Sequence, residues 1–149
     1  MDVNRPRKFE FSVLVVIIAI LALVLMAALE RARDDFEEAA VQMEAATIRV
    51  ELLDWLAHHE AVGGKLPASR NPIRWIGRVP ENYLGELDVA PKERAVWYFD
   101  TAQQELVYRF RASREARFRL VRGVEALGVQ ASFGGVGLRR VDKLSKERK

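Results

Sequence analysis

The sequence predicts an α+β protein: a long N-terminal helix, half transmembrane and half amphipathic, packed on a small C-terminal antiparallel β-sheet. Three observations predict it. An uncharged run spans Phe11 to Leu29. A heptad pattern without Gly or Pro continues from it as far as Val62. Strand-like segments separated by turn residues fill the chain after residue 95. Strands that follow one helix in a block, rather than alternating with helices, segregate into an α+β arrangement. The 149 residues leave room for one anchor and one small domain.

Residues 1–8 form a short basic N-terminus with Arg5, Arg7 and Lys8. Residues 9–29 follow as a transmembrane helix. Its core, FSVLVVIIAILALVLMAAL, is long enough at about 1.5 Å per residue to cross most of a ~30 Å hydrocarbon layer. It has no polar face, as a buried helix of a small soluble protein would. Phe11, Val16, Ile20, Leu25 and Leu29 mark the expected anchor. Glu30, Arg31, Arg33, Asp34 and Asp35 follow it, so the positive excess lies before the run. That asymmetry predicts a cytoplasmic N-terminus and places the rest of the chain outside, in the periplasm of a bacterial inner membrane. A cleaved signal peptide shares the basic start, but its apolar core is about 7–15 residues, shorter than this one. A retained anchor with membrane lipid as its partner is the expectation.

Residues 30–62 read as an amphipathic continuation outside the membrane. Ala32, Phe36, Ala39, Met43, Ala46, Val50, Leu53 and Ala57 are spaced alternately three and four apart, which is a heptad seam. Two occupants suit it: the chain's own sheet or a partner helix. The alanines contribute little burial each. The seam is therefore expected to pack on the chain's own sheet through Met43, Val50 and Leu53. Gly63-Gly64 and Pro67 are stop signals.

Residues 63–95 hold most of the Gly and Pro and read as an irregular connection, pinned down by Trp75, Ile76, Val79, Tyr83, Leu84 and Leu87. Residues 96–142 read as the sheet. AVWYFD and LVYRFR form a hairpin around Thr101–Gln104, and ARFRLVR alternates cleanly. Residues 128–133 and 136–141 read as a weaker second hairpin. The tail, residues 143–149, is charged.

Little in the chain carries catalytic chemistry. There is no cysteine, hence no disulfide, thiolate zinc site or thiol nucleophile. The net charge of +3 is too small to argue for nucleic acid. His58 and His59 are adjacent, about 100° apart on a helix, whereas a metalloprotease motif needs histidines four apart. The acidic pairs Asp34-Asp35 and Glu37-Glu38 lack calcium-loop spacing. No phosphate loop or nucleophile elbow is present. No cofactor, no metal, no small-molecule substrate and no enzymatic activity are expected. The most unusual concentration is Arg109, Arg111, Arg114, Arg117, Arg119 and Arg122. Solubility and edge protection are one role for it. Docking to an acidic partner or lipid headgroups through Arg111, Arg117 and Arg119 is another. DNA is a weaker fit, since few aromatics interleave to stack bases.

The stretch Lys8-Phe9-Glu10-Phe11-Ser12-Val13-Leu14 with the apolar run behind it, and the hairpin VWYFDTAQQELVYRF, resemble type IV pilin-like proteins. That family includes minor pilins and type II secretion pseudopilins. The resemblance implies a helix that anchors in the membrane, an antiparallel sheet packed on its outer half, and partners among other pilus or secretion assembly subunits. Two features depart from the family. Lys8 stands where its leader carries a glycine, and Val13 stands where its fifth mature residue is a glutamate. Those departures imply an unprocessed, permanently anchored accessory subunit. Inner-membrane platform or scaffold proteins share the span and the coiled-coil helix, but interleave further helices with their strands.

Overall fold

The structure is a computed structural model that describes residues 5–126 and 135–141, with the side chains of 5–8, 124 and 125 outside the description. Helix α1 runs Arg5–Val62 without a break. Two compact units divide the chain, Met1–Ala39 and Ala40–Lys149.

In the first unit the apolar run is helical, and Phe11, Val16, Ile20, Leu25 and Leu29 are all exposed. Exposed apolar surface on this scale is what lipid or a partner covers in a stable protein. Among the described residues, one helix is long and apolar enough to cross a membrane, by length and composition alone.

The second unit is the α+β body. Among the described residues, five strands form one mixed sheet in the order β1-β2-β3-β4-β5: β1 Tyr83–Leu87, β2 Val96–Asp100, β3 Glu105–Arg109, β4 Glu115–Arg122 and β5 Val136–Arg140. Strands β2 to β5 pair antiparallel, as the alternation predicts. Pairing puts Phe99, Leu106 and Phe118 in one row and Leu120 opposite Leu138. One face of α1 covers these rows with Val41, Ala45, Ile48, Leu52 and Leu56. Their 4-3-4-4 spacing is a helical stripe.

The expected packing seam is corrected here. Phe36 is 75%, Met43 73% and Val50 64% exposed. Ala39, Ala46 and Ala57 are exposed too, while Ala32 and Leu53 are half-buried. At 100° per residue, Met43 and Val50 point almost opposite to Ala45 and Leu52. The helix carries two apolar stripes, and the sheet takes the one with the bulkier aliphatics, which buries more area per turn.

The connection 63–95 is more ordered than its punctuation suggests. It contains a 3₁₀ turn, Pro72–Arg74, and strand β1, which lies parallel to β2. The register shifts between Tyr83 and Glu86, where Gly85 takes a φ of +99°. A bulge with a left-handed residue is a place for glycine. Of the expected anchors, Trp75 and Ile76 are buried, Tyr83 and Leu87 are half-buried, and Val79 and Leu84 are exposed. Strand β5 pairs with β4. Its predicted hairpin partner, 128–133, and the tail 143–149 lie outside the described residues.

The two stripes of α1 predict opposite outcomes. Leu52→Ala should cost about 2–5 kcal/mol of unfolding free energy. Met43→Ala should change it by less than about 0.5 kcal/mol, as at an exposed site. Urea unfolding of the full chain in detergent, followed by tryptophan fluorescence, measures both.

Candidate functional site

The sheet face away from α1 gathers three of the six arginines singled out in the sequence, Arg109, Arg117 and Arg119. Alternation puts Asp100, Glu105, Glu115, Arg117 and Arg119 on that face. Arg117 donates to Asp100 Oδ2 at 3.1 Å, to Glu105 Oε2 at 3.2 Å and to Glu115 Oε2 at 2.7 Å. Arg119 donates to Glu105 Oε1, so one buried carboxylate is shared by two guanidinium groups. Burial disfavours the Arg117 charge, but the hydrogen bonds to Glu115, Asp100 and Glu105 outweigh it and raise its pKa above the ordinary arginine value. Arg117 and one nitrogen of Arg119 are thus engaged with carboxylates of neighbouring strands. Arg111 is exposed, on the β3–β4 turn.

The remaining arginines hold other parts of the unit. Arg122 donates to the carbonyls of Pro67 and Ser69, both at 2.8 Å, and its guanidinium lies 4.8 Å from the Trp75 ring centre. Desolvation, then the nearby Arg70, lower its pKa. Arg114 sits over the Phe110 ring at 4.0 Å. Arg49 reaches from α1 to the Leu138 carbonyl of the last strand at 3.1 Å.

The end of α1 is built around Trp55 and His59. The His59 ring stacks on Trp55 at 4.4 Å, and Trp55 in turn meets Trp75 at 5.1 Å. The Gly63 N–H donates to Glu60 O and the Gly64 N–H to His59 O, the paired bonds of a Schellman ending. A Cβ on Gly64 would lie 2.5 Å from the His59 ring, so a side chain there would push the ring off its stack on Trp55. His58 is solvated beside Asp54. Among the described residues, no group of three or more His, Cys, Asp or Glu side chains could hold a metal ion.

Two features escaped the sequence reading. Asn71 is buried. Its Oδ1 accepts from the Ile73 N–H, and its Nδ2 donates to Tyr83 Oη at 3.0 Å and Glu86 Oε1 at 2.9 Å. The signal was Asn71-Pro72, an N-cap followed by proline at the first helical position. The other feature is an open groove of about 670 Å³ lined by Val50, Glu51, Asp54, Trp55, Ile76 and Arg78, among others. Its residues come from a helix face and a loop far apart in sequence, so no local pattern announces it.

Searches of protein-family models, curated proteins and solved structures find no match for this chain. Its functional reading therefore rests on its own residues.

Two predictions follow from these contacts. Glu105→Ala leaves Arg117 and Arg119 short of a shared buried carboxylate and should cost about 3–5 kcal/mol in denaturant unfolding. The Asn71 hydrogen bond, and then Arg74, hold the Glu86 carboxyl below its ordinary value. A depressed carboxylate pKa stabilises the fold above the unfolded value of about 4.3, and that contribution fades as pH falls through the lower folded value. Glu86→Gln should remove this part of the acid sensitivity, measured as melting temperature from about pH 6 to pH 3.

Proposed function

We propose that this chain is a membrane-anchored, non-enzymatic structural or assembly subunit of a type IV pilus or type II secretion-like machine. In this reading residues 11–29 sit in the inner membrane, residues 1–8 lie in the cytoplasm, and the α+β unit works in the periplasm. The observation that carries it is the uninterrupted exposure of the apolar run Phe11–Leu29 at the start of α1. Covering so much surface requires lipid or closely packed neighbours. The order of elements supports the pilin-like arrangement: one helix, then strands, with no second α-helix among the described residues. The parallel strand β1 is an addition to that plan. Lys8 and Val13 support a subunit that keeps its N-terminus.

A second reading draws on the exposed stripe of α1. Met43 and Val50 at heptad spacing suit a partner helix, as in an inner-membrane platform or scaffold protein.

Two measurements test the proposal. The full-length protein should stay with membranes through alkaline carbonate washing. Ile17→Lys combined with Leu21→Lys, at about 2.5–3.5 kcal/mol per central charge, should release it. The intact mass should begin at Met1. A mature chain starting at Phe9 would instead mark a processed filament subunit, and a wild-type product soluble without detergent would sink the proposal.

A further inference from the structure

We infer that the outward stripe of α1, from Met43 to Ala57, seats the same stripe of a second copy of this chain, the two helices lying parallel and in register. Met43, Val50 and Ala57 recur every seven residues, with Ala46 and Leu53 between them, and no charge falls on this row. Met43, Ala46, Val50 and Ala57 are exposed, and Leu53 is half-buried. The sheet packs on the other side of the helix, through Ala45, Ile48 and Leu52, so the stripe stands clear of it. An apolar row at heptad spacing is what packs knobs into holes on another helix. The sheet already holds this helix folded, so the contact bears no cost of nucleating it.

The residue types point to a like partner running the same way. In heptad letters Met43, Val50 and Ala57 take a positions, and Ala46 and Leu53 take d positions. A β-branched residue at a with leucine at d, as in Val50 and Leu53, is the combination that favours two parallel strands. Alanine at 46 lets the axes approach, toward the short end of the usual range of about 8–10 Å. The flexible Met43 side chain fills what the small layers leave. Charge then sets the register. In a parallel pair a g residue of one helix meets the e residue five places on in the other, and such pairs choose partner and orientation. Arg49 is a g residue and Asp54 an e residue, so each copy's Arg49 falls beside the other's Asp54. The Asp54 side chain is 79% exposed, with His58 Nδ1 at 4.0 Å. Arg49 gives its Nε to the Leu138 carbonyl at 3.1 Å, a neutral acceptor that leaves the guanidinium charge in place. Thr47, at the preceding e position, returns its hydroxyl to the Met43 carbonyl at 3.0 Å, so covering it orphans no donor.

The same patch on both partners makes the contact isologous, so it closes as a two-fold dimer. Two heptads fall in the small class of specific interfaces, below about 1,200 Å² in total, so the dimer forms and parts readily. The inference rests on the second reading above, that the stripe seats a helix, and names the occupant. It uses residues 43–57 alone and holds whether or not residues 11–29 lie in a bilayer.

The chain has no cysteine, so each probe carries a single thiol. Full-length Met43→Cys and full-length Ala57→Cys are oxidised separately, in detergent and in membranes. Each alone should give a disulfide-linked homodimer, because a parallel, in-register pair brings like positions within the roughly 4–7 Å between Cα atoms that a disulfide needs. An antiparallel pair would link Met43→Cys only to Ala57→Cys, in a mixture. His58→Cys, at an exposed position off the seam, should link far less. Val50→Glu, added to Met43→Cys, sets two carboxylates against each other in the seam and should lower the homodimer about tenfold. Asp54→Lys turns both Arg49–Asp54 contacts into like-charge pairs and should lower it about threefold. No homodimer from either single variant, a product only on mixing, His58→Cys linking as well as Met43→Cys, or a yield unmoved by Val50→Glu overturns the inference. A product from membranes with a protein of another mass keeps the partner-helix reading and overturns the second copy as occupant. If Val50→Glu fails to fold by circular dichroism, Asp54→Lys decides in its place, and a yield it leaves unchanged overturns the inference.

Discussion

Everything in the second unit depends on one helix face covering one sheet face. Antiparallel strands of this length are stable only when a face is removed from water. Val41, Ala45, Ile48, Leu52 and Leu56 do this for Phe99, Leu106, Phe118, Leu120 and Leu138, all of them buried. The aromatic rows extend the cover, since Trp97 meets Tyr108 at 5.0 Å and Phe118 at 5.8 Å. Arg49 ties the helix to the outermost strand through a carbonyl, and desolvation there lowers its pKa. A charge in that position keeps its hydrogen bond at the expense of hydration, so its role is to fix where the helix lies.

The opposite sheet face is organised by charge. Tyr98 and Val107 are buried there, cross-strand from one another, and Arg117 pairs with Val107 on the next strand. Long arginine stems shield apolar neighbours while their heads stay paired with carboxylates. Asp100, Glu105 and Glu115 thus turn what looks in sequence like a basic stripe into a nearly balanced lattice. Arg111 and Arg114, on the β3–β4 turn, are exposed.

Much of the fold was legible. The apolar run, the helix stop at Gly63-Gly64 and the strands β2 to β4 follow from period and punctuation, because each is a local signal. The packing face was missed for a physical reason. Both stripes of α1 satisfy a helical period, and a heptad of Phe36, Met43 and Val50 reads as strongly as Val41, Ile48 and Leu52. Which one meets a sheet is settled by shape between segments more than 40 residues apart in sequence, as Leu56 and Phe99 are. Strand β1 was hidden by Pro80, Gly85 and Pro91, whose turn signals outweigh five residues of strand. The arginine roles were hidden because Arg117 and Arg119 find partners on neighbouring strands, a relation that exists only once register is set. Asn71 illustrates the middle ground: its cap was readable from the following proline, its contacts with Tyr83 and Glu86 were not.

The contacts of Arg122 make the segment after α1 part of the sheet's own cooperative unit. The guanidinium holds two successive loop carbonyls, from Pro67 and Ser69, while the Trp75 indole N–H binds Ser69 O at 3.0 Å. A loop that opened would strand a partly buried cation and an indole donor together. Segments coupled in this way exchange their amide hydrogens with the body they are tied to, not as independent surface chain. The Trp55–His59 stack meets that loop through Trp75, so the end of α1 and one rim of the groove are joined to the sheet by way of Arg122.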